Sequence, residues 1–322
     1  MITIVYRAVK LLKSNRSEFL ASVVQHFFGW LPDAIYLKLL YRFKMGHRLD
    51  LKNPKTFTEK LQWLKLYNRK PEYTKMVDKY AVKDYVSGII GPEYIIPTIG
   101  VWNKPEDIDW DSLPNQFVLK TTHGGGGGGV VICKDKETFN KEEAIVKLNH
   151  SLKADIYRGL REWPYKDVPK RIIVEKFMAP EKRSASNDLP DYKFFCFNGK
   201  VKFFKVDVGR FVEHHANYYS LEGKLLPFGE QGIEPDFNYP IKLPSNLDEM
   251  ISMAERISQG EPFLRVDLYN INGKLYFGEI TFFPASGLLP WTLEEADLAI
   301  GKFLEFDETN TSYHRKPRFR RS

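Results

Sequence analysis

The chain has 322 residues, of which 43% are hydrophobic and 28% charged, with a formal net charge of +7. That balance excludes a wholly disordered chain, and the length suggests about two domains. Two cysteines, Cys133 and Cys196, exclude a disulfide framework and a cysteine-based zinc site. Both sit in apolar, strand-like runs, where a buried thiol in a reducing, cytoplasmic setting is expected. Arg315, Lys316, Arg318, Arg320 and Arg321 crowd into the C-terminal tail with no acid among them, so the remainder is only slightly basic. This argues against a nucleic-acid groove. It leaves a membrane-surface or polyanion contact to the N-terminal helices or the tail.

In chain order, the first apolar residues lack a cleavage site behind a continuous hydrophobic core, so no secretory signal is expected. The stretch FLASVVQHFFGWLPDAIYLKLLY is interrupted by Gln25, His26, Pro32, Asp33 and Lys38. It is too broken to span a bilayer and reads as two packed helices meeting at Gly29 to Pro32. Thr56 and Glu59 have capping-box spacing and open a helix carrying Leu61, Leu64 and Tyr67. A second helix is predicted from Pro71 through Tyr73, Val77 and Tyr80, stopping at Gly88. Strands follow: YIIPTI, FVLKT at 117–121 and VVIC at 130–133, then, beyond a helix at 141–152, RIIVEKF at 171–177. The second half carries two hairpin signals, Asn198-Gly199 and Asn272-Gly273, each between β-rich runs. Helices are predicted at 246–259 and 292–304. The pattern is α+β with antiparallel sheets.

Two segments look chemical. FVLKTTHGGGGGGV places six consecutive glycines, Gly124, Gly125, Gly126, Gly127, Gly128 and Gly129, between two strands. Such a run costs conformational entropy, and a backbone that must approach a phosphate chain closely is one reason to bear that cost. Lys120, at the end of the preceding strand, can place a cation beside those phosphates. The loop matches neither a Walker A pattern nor G-x-G-x-x-G, and alone it could equally be a floppy hairpin. The second segment is LRVDLYNINGKLYFGEITFFPASG. Alternation puts Arg265 and Asp267 on one face, and Glu279 with Thr281 on one face of the following strand. If the register joins these faces, Asp267 and Glu279 become adjacent carboxylates beside a guanidinium, a donor set suited to Mg²⁺ held against phosphate oxygens. A third strand, IIVEKFM, ends in charges and by itself says little.

Taken together, the phrases NPKTFTEKLQW, VDKYAVKDYV, VLKTTHGGGGG, VEKF, DYKFFCFNGK and RVDLYNINGKLYFGEITFFPASG resemble the ATP-grasp superfamily, in its TupA-like branch associated with teichuronopeptide and polysaccharide biosynthesis. The resemblance covers roughly residues 50–290. It implies two α+β subdomains gripping ATP behind an N-terminal helical, substrate-side region. The division it suggests is 1–50 for a helical extension, 51–112 for a region preceding the grasp, 113–178 for a lid subdomain, 179–312 for a metal-binding subdomain and 313–322 for the basic tail. It further implies that Lys120 and the glycine loop contact nucleotide phosphates. Glu175, Lys176, Phe177 and Met178 match the hinge beside adenine, with Glu181 a looser match for the ribose. Lys193 would be a second phosphate-side lysine. Arg265 matches the arginine two residues before the first metal carboxylate, and Asp267 and Glu279 match the Mg²⁺ carboxylates. Where the superfamily usually has Asn, this chain has Thr281, which leaves the third ligand and the number of ions open.

The function so implied is an ADP-forming carboxylate–amine ligase working through an acyl phosphate. It would join an amino acid or other amine to a uronic acid of a surface polysaccharide or its precursor, in the cytoplasm or at the inner face of the membrane. Lys205, Asp207, Arg210, His214 and His215 offer a wall for the acidic substrate. The rival reading is a Mg-dependent glycosyltransferase of capsule synthesis. It gives the six glycines no role.

Overall fold

A computed structural model describes residues 16–125, 128–179, 190–208, 215–233, 235–238 and 243–305. The chain opens with helices α1 (Arg16–Phe27) and α2 (Asp33–Met45), which turn back on each other at the predicted position. Ala21, Val24, Tyr36, Leu37 and Leu40 form their shared core, joined by Leu288 from the far end of the chain. Helix α3 (Phe57–Tyr67) begins at the expected capping box, with the Thr56 side chain accepting from the Glu59 amide and the Glu59 carboxylate accepting from the Thr56 amide.

The predicted single helix from Pro71 to Gly88 is instead two, α4 (Tyr73–Val77) and α5 (Ala81–Ile90). Asp78 makes the break: its backbone is extended (φ −72°, ψ 112°), and its Oδ1 accepts from the amides of Tyr80 and Ala81, capping the new start. Gly88 lies inside α5, which stops at Gly91, where φ is 112°. The strand expected at YIIPTI begins only at Thr98, because Pro97 has no amide to donate and Pro92–Tyr94 form a 3₁₀ turn.

Strands β1 (Thr98–Trp102), β2 (Phe117–Thr121), β3 (Val130–Cys133) and β4 (Ile172–Lys176) form one antiparallel sheet in the order β1-β4-β2-β3. Between β3 and β4 lie α6 (Lys141–Leu152), α7 (Ile156–Leu160) and a 3₁₀ turn at Trp163–Tyr165. Phe117, Leu119, Ile172, Val174, Ala144 and Leu148 bury the side that α6 covers. The other sheet, in the order β7-β6-β5-β8-β9, comprises β5 (Asp191–Phe197), β6 (Lys200–Val208), β7 (His215–Tyr219), β8 (Phe263–Ile271) and β9 (Lys274–Thr281). Helices α8 (Leu247–Ile257) and α9 (Glu294–Gly301) complete the described chain.

Both Asn-Gly pairs are turns with positive φ at each residue: 48° and 74° at Asn198-Gly199, 54° and 86° at Asn272-Gly273. They join β5 to β6 and β8 to β9, as the sequence predicts. Phe194, Phe195, Phe204, Val266 and Leu268 are buried in the larger core, with α8 packed against the sheet. Each such side chain removed from water contributes roughly 1.5–3 kcal/mol. Cys133 and Cys196 are buried free thiols, as expected. Among the described residues no helix is long and apolar enough to cross a membrane.

Candidate active site

Pairing in the larger sheet brings the chemical residues together. Asp267 stands directly opposite Glu279 across β8 and β9, and opposite Lys193 across β8 and β5. Lys193 in turn stands opposite Lys205 on β6, and Asp191 opposite Asp207. Arg265 grips Asp267 with two bonds of 2.7 Å, from Nε to Oδ1 and from Nη2 to Oδ2. The same Nη2 donates to Glu279 Oε1 at 3.1 Å, and Thr281 Oγ1 donates to that oxygen at 3.4 Å. Lys193 is ringed by carboxylates: it pairs with Asp191, and lies 3.2 Å from both Asp207 and Asp267.

The smaller sheet supplies a second set. Lys120 on β2 lies 2.6 Å from Glu175 on β4, and Lys83 of α5 lies 2.5 Å from the other oxygen of that carboxylate. Glu175 is opposite Val118, so its side chain shares a face with Lys120. The Glu175 carboxylate is therefore the counter-ion of two lysines. The Lys176 amide donates to Pro97 O at 3.0 Å, which leaves the backbone of Phe177 and Met178 as the open part of the sequence-predicted hinge.

Lys79 joins the two sets. It sits in the break between α4 and α5, where its own amide bonds Thr122 O at 3.0 Å. Its Nζ donates to Gly124 O at 2.6 Å and lies 3.6 Å from Glu279 Oε2. The phrase VDKYAVKDYV contributes to the resemblance, yet sequence reasoning assigns no role to Lys79 or Lys83. Lysines four apart on a helix read as a solvated face, whereas Lys83 is 9% exposed.

The charges act on one another. Burial pushes the Glu279 carboxyl up, but Lys79, Arg265, Lys193 and Lys120 outweigh it and hold it at about 2. Burial also raises Glu175, and Lys120 and Lys83 together bring it below the ordinary glutamate range. Burial lowers Lys120, yet Glu175, Glu279 and Asp191 hold it above its usual value. Lys83 feels chiefly burial, with Glu175 opposing, and is lowered. Lys120 and Glu279 thus sense each other although they stand on different sheets.

The glycine loop divides by position. A Cβ on Gly129 would lie 2.3 Å from both Thr121 Oγ1 and Ser151 Oγ, and one on Gly124 would lie 2.5 Å from Thr121 Oγ1. The Thr121 and Ser151 hydroxyls are themselves bonded at 2.8 Å. Glycine is required at these two positions by packing at the base of the loop. Gly125 has ordinary room and Gly128 open space. Gly126 and Gly127 lie outside the described residues.

Of the sequence-predicted substrate wall, Lys205, Asp207 and the backbone of His215 are among the described residues. Lys205 is ion-paired with Glu230 at 2.6 Å and lies 3.5 Å from Asp207, on the same buried charged face as Lys193. His215 opens β7. Arg210, His214 and Glu181 lie outside the described residues, as does the basic tail.

A further arrangement escapes sequence reasoning. Beyond β9, Ala285, Ser286 and Gly287 all have positive φ (45°, 59° and 59°). Two side chains of α3 hold this turn. Gln62 Nε2 donates to Ser286 O at 3.0 Å and to Gly287 O at 2.8 Å, and the buried Lys65 Nζ donates to Ser286 O at 2.8 Å and Ser286 Oγ at 2.6 Å. Burial pulls the Lys65 ammonium down to about 8, with the Glu162 charge opposing.

The donor set fits Mg²⁺ borne by phosphate. Glu279 has a half-buried, ionised carboxylate (42% side-chain exposure), beside Asp267 and the Thr281 hydroxyl. Among the described residues no three His, Cys, Asp or Glu side chains are grouped to hold a metal ion by themselves. A small hard cation that keeps most of its shell on phosphate and water needs only one or two carboxylates.

A family model described as TupA-like ATPgrasp matches residues 59–305. A search of curated proteins finds no match. Among solved structures, the chain is similar to the D-alanine–D-alanine ligase of Bacillus anthracis (19% identity over 64% of this chain and 57% of that one, TM-score 0.38). It is also similar to the D-alanine–D-alanine ligase of Helicobacter pylori (15%, 72% and 64%, TM-score 0.41) and to D-alanyl-alanine synthetase A of Vibrio cholerae (13%, 76% and 66%, TM-score 0.43). The chain spans less than two thirds of the length of each of these.

Proposed function

The chain belongs to the TupA-like ATP-grasp family, and from that premise we propose that it is an ADP-forming ligase that joins a carboxylate to an amine. The observation that carries this reading is the placement of Asp267, Glu279 and Arg265 on one sheet against Lys120 on the other and Lys79, from the α4–α5 break, at the base of the glycine loop. In this reading residues 113–178 are the lid subdomain and 179–312 the metal-binding subdomain. ATP lies between them, its adenine edge on the backbone of Phe177 and Met178.

Asp267 and Glu279, with Thr281 beside them, would hold Mg²⁺, which when bound neutralises phosphate charge. The chain's own cations do the rest. Lys120 and Lys79 orient the terminal phosphates, and Arg265, locked in place by Asp267, meets the charge that spreads over the transferring phosphoryl group. A substrate carboxylate oxygen attacks the γ-phosphorus, the bond to the β-phosphate oxygen breaks, and ADP leaves. The amine nitrogen then attacks the acyl carbon, phosphate departs, and the nitrogen gives up a proton as the amide forms. The loop over the phosphates keeps water from the acyl phosphate. The acid is read as a uronic acid of a surface polysaccharide or its precursor, and the amine as an amino acid.

Calorimetry tests the nucleotide half of this reading. ATP with Mg²⁺ should bind, and a uridine diphosphate sugar should not. Binding of the nucleotide sugar with no response to ATP would contradict it.

A further inference from the structure

The N-terminal hairpin has two faces with different partners. The inner one is tied to the body: Tyr36 OH and Gln25 Nε2 donate to Gly159 O at 2.8 and 3.4 Å, and Arg161 Nη2 donates to Gly29 O at 2.7 Å. These bonds hold the α1–α2 turn rigidly against α7. On the outer face, Phe27 at the end of α1 is 72% exposed, Trp30 in the turn 75%, and Ile35 in the first turn of α2 50%. The Phe28 and Trp30 rings lie 6.4 Å apart. Aromatic side chains displayed on a rigid tip are suited to a boundary between water and hydrocarbon.

The exposed charge on α2 beside this tip is basic, and Asp155, exposed beside Arg158, caps α7 by accepting from the Arg158 amide. Lys38 and Arg42 follow Ile35 at helical spacing and are exposed, and Arg158 lies over Gly29. The acids of these two helices are ion-paired: Glu18 lies 2.5 Å from Lys44, and Asp33 lies 2.7 Å from Arg69 and 3.1 Å from Arg161. A second copy of the chain meeting this patch face to face would set its cations against their own images.

We propose that the α1–α2 tip docks on the surface of an anionic bilayer. Phe27, Trp30 and Ile35 enter the interfacial layer while Lys38, Arg42 and Arg158 meet headgroup phosphates. The site proposed above plays no part in this inference, so the two stand or fall separately.

The test is co-sedimentation of the full chain with vesicles of phosphatidylcholine alone, and of phosphatidylcholine with an equal part of phosphatidylglycerol. The chain should partition onto the second and not the first. The double variants Phe27→Ser with Trp30→Ser, and Lys38→Glu with Arg42→Glu, should each weaken partitioning by about tenfold or more. Their far-UV circular dichroism and thermal melting should match wild type, which shows that they fold. Equal binding to both vesicles, no binding, or undiminished binding by both variants would overturn the proposal. So would a solution dimer that Trp30→Ser dissolves in a chain that ignores vesicles, since the tip would then be a contact between copies.

Discussion

Asp267 and Glu279 face each other across the β8–β9 ladder, and one guanidinium, that of Arg265, bonds both. The two carboxylates are nevertheless unequal. Asp267 is 2% exposed and held by Arg265 and Lys193, whereas Glu279 reaches solvent. Asp267→Asn should therefore cost both stability, about 3–5 kcal/mol as a partner removed from a buried ion pair, and activity. Glu279→Gln should lower kcat by on the order of 100-fold or more while Tm stays close to wild type. Calorimetric melting beside steady-state kinetics separates the two. A Glu279→Gln protein with normal turnover would remove the metal assignment.

Glu175 lies between two lysines, and its loss should be felt in both stability and pH response. Its folded pKa is held below the ordinary value of about 4.5, so its stabilising contribution is complete above that value and fades as pH falls through the lower folded value. Glu175→Gln leaves Lys83 and Lys120 close together and unneutralised, at a cost of about 3–5 kcal/mol at pH 7. At acid pH the gap between wild type and variant should shrink. Urea unfolding at pH 7 and pH 3 reads this directly, and a gap that widens at pH 3 would show that Glu175 is not paired as described.

The glycine run should tolerate change unevenly. Gly129→Ala forces a methyl against the Thr121 and Ser151 hydroxyls, so the bond between them must break or the base of the loop must shift. Overpacking of this kind typically costs about 1–3 kcal/mol. Gly128→Ala meets nothing within 4 Å and should leave Tm unchanged. Thermal melting of the pair decides it: equal losses would mean that packing is not what distinguishes the two positions.

The turn after β9 should report on α3. Gln62→Ala removes donors from the buried carbonyls of Ser286 and Gly287, at about 1–3 kcal/mol of stability. The turn follows the strand of Glu279 and Thr281, so kcat/KM should fall further than unfolding explains when measured well below the variant's Tm. Unchanged kcat/KM in a destabilised protein would reduce Gln62 to a purely structural role.

Most of the sheet architecture is legible in the sequence, because alternation and the two Asn-Gly pairs specify β5 to β6 and β8 to β9 without long-range information. The pairing of Asp267 with Glu279 does not follow from that hairpin alone: the turn's own register would set Asp267 opposite Gly278, and a bulge between Leu268 and Asp267 brings Glu279 opposite it instead. Long-range relations are not legible in this way. That Glu175 serves Lys120 depends on the β2–β4 register, and that Lys79 reaches both Gly124 and Glu279 depends on a helix break that Asp78 creates. The break is hidden because an Asp capping a new helix looks the same in sequence as an Asp within a continuing one. Gly129, likewise, answers to Ser151 on α6, about 20 residues away in sequence.

The most direct test of the central claim is the fate of the γ-phosphoryl group. With a uronic acid present and the amine replaced by hydroxylamine, the enzyme should release ADP and form the hydroxamate of that acid in equal amounts. Lys120→Ala should fail in this trapped reaction as fully as in the complete one, because its defect precedes amine attack. Release of AMP and pyrophosphate would contradict the account, as would hydroxamate formation that Lys120→Ala leaves intact.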